Sequence, residues 1–76
     1  MSNTVTDPDA LPVNDPKRHT MKCRARMTDL AQHLREDVEK VDDPRAKAMF
    51  ETAAEVLLGL DKAFADYEEG AEAAWR

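Results

Sequence analysis

Two Asp-Pro steps, Asp15-Pro16 and Asp43-Pro44, limit what this chain can fold into more than any other feature. The residue before a proline avoids the helical region, whereas proline itself suits the first position of a helix, where its missing N–H costs nothing. Aspartate is a favoured N-cap. Each step therefore opens a helix, and the second also closes the helix before it. The reading that follows is a helix over about 16–41, a turn at 42–43 and a helix over about 44–74. Residues 1–15 contain Pro8 and Pro12 and carry no amphipathic period, so they are expected to form a flexible N-terminal tail.

The first helical segment places Cys23, Met27, Leu30, Leu34, Val38 and Val41 within about 80° of arc, with Thr20 joining the stripe. That width resembles a coiled-coil seam more than a helix laid on a broad core. The second segment has a wider apolar arc of about 120°, through Met49, Phe50, Val56, Leu57, Leu60, Phe64 and Tyr67, continuing to Ala74 and Trp75. Leu58 and Met21 fall about 140° from the middle of their stripes and are expected to be exposed. Gly59 and Gly70 project from the polar face.

So short a turn between two helices requires antiparallel packing. Charge points the same way. Lys17, Arg18, Lys22, Arg24 and Arg26 cluster at the start of the first helix, while Asp61, Asp66, Glu68, Glu69 and Glu72 cluster late in the second. Both placements oppose the helix macrodipole, and folding about Asp42 and Asp43 brings each cluster opposite its complement. In that register position i lies level with roughly 85 − i, so Arg24 is expected beside Asp61 and Lys17 beside Glu68.

Composition then bounds function. The chain has 76 residues and a net charge of −5, with 36% charged residues and 5% aromatic ones. One domain is the upper limit. No apolar run reaches the roughly 18 residues of a membrane span. A single Cys makes no internal disulfide, so the expected setting is reducing and cytoplasmic. The acidic balance opposes nucleic acid and anionic membranes as partners, although the stretch Lys17 to Arg26 is locally basic.

No catalytic constellation is present: no serine follows Ser2, and no glycine-rich loop follows a strand. Cys23 is expected to fill the apolar seam. His19, Cys23 and Met27 recur at four-residue spacing, a ladder that soft metals can use, and His33 lies near Asp29, Glu36, Glu51 and Glu55. Neither set matches the Glu-x-x-His pattern of di-iron bundles, and His33 reads best as a solvated surface residue.

The expected fold is all-α, an antiparallel two-helix hairpin dimerising into a four-helix bundle, because one hairpin cannot cover the wider stripe and small scaffolds need such support. The expected association face comprises Met27, Leu30, Leu34 and Val38 on the first helix, with Met49, Phe50, Val56, Leu57, Leu60, Phe64 and Tyr67 on the second. The function expected is a small, acidic, non-enzymatic interaction or assembly module without cofactor, working as a homodimer or with a protein partner. The alternatives are a small metal-binding bundle and a nucleic-acid-associated regulator.

Overall fold

The computed structural model describes residues 7–73, in which the regular elements are all helical and no strand is present. Helix α1 spans Pro16–Val38 and helix α2 spans Pro44–Ala73, preceded by a 3-10 turn at Pro8–Ala10. Asp15 accepts a hydrogen bond from the Lys17 amide at 2.9 Å, and Asp43 accepts one from the Arg45 amide at 2.9 Å. Both Asp-Pro steps thus cap a helix as their chemistry demands. Asp7-Pro8 repeats the device on a smaller scale, with Asp7 capping the 3-10 turn through the Asp9 amide.

Helix α1 ends at Val38, three residues before the expected boundary at 41. Its last turn tightens through bonds from Glu39 and Lys40 to the carbonyls of Glu36 and Asp37. Val41 therefore belongs to the connection, half-buried, rather than to the helix.

Residues 7–15 are folded against the start of α1, in place of a free arm. The Arg18 guanidinium donates to the Leu11 carbonyl at 2.9 Å, and His19 Nε2 donates to the Val13 carbonyl at 2.7 Å. Lys22 Nζ reaches the Asp9 carboxylate at 2.6 Å. Expectations about residues 1–6, Ala74 and Trp75 lie outside the described residues.

The helices run antiparallel. Contacts pair Thr20 with Glu68, Arg24 with Asp61 and Arg35 with Glu55, so rising numbers on α1 meet falling numbers on α2. The seam between them has heptad spacing. On α1 it follows Thr20, Arg24, Met27, Ala31, Leu34 and Val38; on α2 it follows Phe50, Ala54, Leu57, Asp61, Phe64 and Glu68, all buried or half-buried. The deepest points are Ala31 at 2% exposure and Ala54 at 0%. Small side chains at the closest approach let two helix backbones come near each other, and larger residues then fill the flanks.

This seam corrects three expectations. Cys23 is exposed rather than buried in the seam. Leu58 and Met21 are half-buried rather than exposed. Each helix is turned from its stripe: the most buried line on α1 runs through Arg24, Ala31 and Val38, which brings Met21 inward and Cys23 outward, and that on α2 runs through Ala54, Asp61 and Glu68, which brings Leu58 inward. The molecule measures 48 × 27 × 23 Å, its long dimension set by the 30 residues of α2.

Candidate association face

The seam and the apolar stripes do not coincide, and their offset creates the candidate site. The apolar stripe of α1 is centred about 60° from the line Arg24–Ala31–Val38, and that of α2 about 80° from the line Ala54–Asp61–Glu68. Seen from each helix's own N-terminus, the two offsets have the same sense. Because the helices are antiparallel, offsets of the same sense bring both stripes to one side of the hairpin. A single broad apolar face results, built from both helices.

Leu30, Met49, Val56, Leu60 and Tyr67 are the members of the expected face that reach solvent most fully, at 43 to 62% exposure. Met27, Leu34, Phe50, Leu57 and Phe64 are half-buried along the floor between the helices. Val38 is buried inside the hairpin, at 9% exposure, and offers little to a partner. On α2 the line Met49, Ala53, Val56, Leu60, Ala63 and Tyr67 keeps heptad spacing along the outer part of the face, with Ala53 half-buried and Ala63 exposed. Large apolar side chains left in water at this density are uncommon on a monomer and mark interaction surfaces.

The basic segment divides between two roles. Arg24 Nε donates to Asp61 at 2.9 Å, and its Nη1 donates to Glu68 at 2.8 Å. Glu68 also accepts from the Thr20 hydroxyl. Hydrogen bonds to Asp61 and then Glu68 hold the Arg24 guanidinium protonated even more firmly than usual. Arg18 and Lys22 turn to Asp9 instead, on the 3-10 turn, rather than crossing to the acidic end of α2. The hydrogen bond and positive charge of Lys22, with a smaller contribution from Arg18, keep the Asp9 carboxyl below the usual carboxylate range.

The residues weighed as metal ligands are dispersed. His33 is largely exposed and reaches Asp37 at 3.0 Å, one helical turn along α1. Glu55 pairs with Arg35, and His19 is engaged by the Val13 carbonyl. Among the described residues, no three His, Cys, Asp or Glu side chains gather as a metal ion would require. A depression of about 550 Å³ is lined by Arg26, Asp29, Leu30, Gln32, His33 and Glu36, all from α1. Side chains of one helix form an open surface, not an enclosing site. Among the described residues, no helix is long and apolar enough to cross a membrane.

Reading the stripes alone misses Asp9 as the partner of Lys22, and Ala31 and Ala54 as the centre of the seam. The Asp7-Pro8 step was the available signal for the first. The heptad spacing of Ala31 from Arg24 and of Ala54 from Asp61 was the signal for the second. Compared with known proteins, the chain matches no family model, no curated protein and no solved structure.

Proposed function

We propose that this protein is a small, acidic, non-enzymatic interaction and assembly module that acts by self-association, two hairpins closing face to face into a four-helix bundle. The observation that carries this reading is the continuous apolar face formed by Leu30 on α1 and Met49, Val56, Leu60 and Tyr67 on α2. Covering apolar surface contributes roughly 25 cal/mol per Å² removed from water, and a two-fold homodimer is the commonest way to cover it. The intramolecular pairing of Arg18, Lys22 and Arg24 favours a structural role for these cations over a nucleic-acid footprint. An exposed Cys23 thiol suits a reducing, cytoplasmic setting.

Analytical ultracentrifugation over micromolar concentrations tests this reading. The expected species sediments at twice the 8.6 kDa chain mass, and its thermal midpoint rises with protein concentration. A monomer with a concentration-independent midpoint contradicts it. Leu60→Asp is expected to abolish the dimer while preserving the helical hairpin, because Leu60 lies on the outer face rather than in the seam.

A further inference from the structure

The apolar face has an internal symmetry that the hairpin itself does not use. The outer line of α2 reads Met49, Ala53, Val56, Leu60, Ala63, Tyr67, with steps of four, three, four, three and four. Its second and fifth positions are alanine, its two central positions are branched aliphatics and its ends are the long side chains Met49 and Tyr67, the same pattern in either direction. The neighbouring floor line, Phe50, Leu57, Phe64, is also its own reverse. On α1 the line Cys23, Met27, Leu30, Leu34 has steps of four, three and four, again symmetric in spacing.

The midpoints of these lines stand at the same height. The centre of the α2 line falls between Val56 and Leu60, and that of the α1 line between Met27 and Leu30. The cross-hairpin pairs Arg24–Asp61 and Arg35–Glu55 bracket both midpoints. A single two-fold axis, perpendicular to the helices and lying in the plane of the face, therefore maps both lines onto themselves. Two-fold association requires this kind of self-complementarity.

Resting on the association proposed above, we infer that the occupant of this face is a second copy of the chain with its inter-helix connection at the opposite end of the bundle. Helix α2 then lies antiparallel on α2 of the second copy, and α1 on α1. Met49 meets Tyr67 of the second copy, Val56 meets its Leu60, and Ala53 meets its Ala63. The Met49 thioether gains an aromatic neighbour, a favourable contact. Stacking the copies with both connections at the same end would lay α2 on α1 instead. The central Val56 and Leu60 would still fall near Leu30 and Met27, but at the two ends Tyr67 would fall near the level of Arg18 and His19, and Met49 near that of Glu36 and Asp37, setting apolar side chains against polar ones.

The dimensions also suit a second copy. From Met49 to Tyr67 the face runs about 27 Å, and two helices make it about 20 Å wide. That is several hundred Å² per copy, of the order of the ~800 Å² per partner in a standard stable interface.

The test uses the full chain with Cys23→Ala. Glu69→Cys, on the side of α2 away from the face, carries a nitroxide label for a distance measurement between copies. A second experiment mixes Met49→Cys chains with Tyr67→Cys chains under mild oxidation. The opposite-end arrangement places the two labels about 40 Å apart, and makes the 49–67 disulfide the dominant cross-link over 49–49 and 67–67. A species of dimer mass with labels about 25 Å apart and no 49–67 link overturns this pairing while leaving self-association standing. A monomer mass at every concentration overturns both, and leaves the face to a different protein.

Discussion

Arg24 donates to Asp61 at 2.9 Å across the hairpin, and this pair marks the register in which α1 and α2 meet. Seven residues further along α1, and seven back along α2, stand Ala31 and Ala54, the two most deeply buried residues among those described. Electrostatics and burial thus agree on one alignment of the helices, with a charged pair one heptad from the most buried point of the seam.

Arg24 serves two acidic partners, Asp61 and Glu68, which are about 20% and 13% exposed. Arg24→Ala should therefore destabilise the fold by roughly 1–3 kcal/mol, leaving two partly buried carboxylates without their shared cation. Arg24→Lys should recover only part of the loss, because one ammonium cannot reproduce the guanidinium fork. Chemical denaturation of the three proteins at matched concentration reads this directly. An unchanged midpoint for Arg24→Ala would show that packing alone sets the register.

Ala54→Leu should cost roughly 1–3 kcal/mol or more, because added methylenes have no space where the helices approach most closely. Ala48→Leu, at an exposed alanine of α2 outside both the seam and the apolar face, is the control and should leave the midpoint nearly unchanged. Circular dichroism melts at one protein concentration compare them. Equal midpoints would mean that the seam is loosely packed at Ala54.

Leu58 was expected on the polar side but is half-buried. Leu58→Ala should accordingly cost about 1–2 kcal/mol, above the roughly 0.5 kcal/mol typical of surface changes and below a fully buried leucine. Urea titration of this variant beside Leu57→Ala should rank both as destabilising. A neutral Leu58→Ala would restore the stripe-centred orientation of α2.

The brace at the start of α1 should respond to acid. The folded-state pKa of Asp9 is depressed, chiefly by its hydrogen bond to Lys22, so its contribution is present above the unfolded pKa and lost as pH falls through the folded one. The release is therefore expected below about pH 4, the ordinary carboxylate range. Proton NMR of the Lys22 and Arg18 side chains across an acid titration should show them losing their restraint together. Asp9→Asn should abolish that step, whereas persistence of the step would assign it to another carboxylate.

The sequence by itself determined where the helices begin, because proline excludes the preceding residue from helix and aspartate caps the next one. It also determined that the helices are antiparallel and that Arg24 meets Asp61, since a short connection and opposed charge clusters permit little else. The tertiary structure decided which side of each helix faces the other. Hydropathy ranks side chains by how strongly they avoid water, and by that measure Cys23, Leu34 and Val41 mark the middle of the α1 stripe. Two helices in close contact select instead for small side chains along the line of approach, and for a polar pair that can be satisfied there. Ala31, Ala54 and Arg24 meet those conditions, so the seam turned toward them and left Leu30, Met49, Val56, Leu60 and Tyr67 facing water.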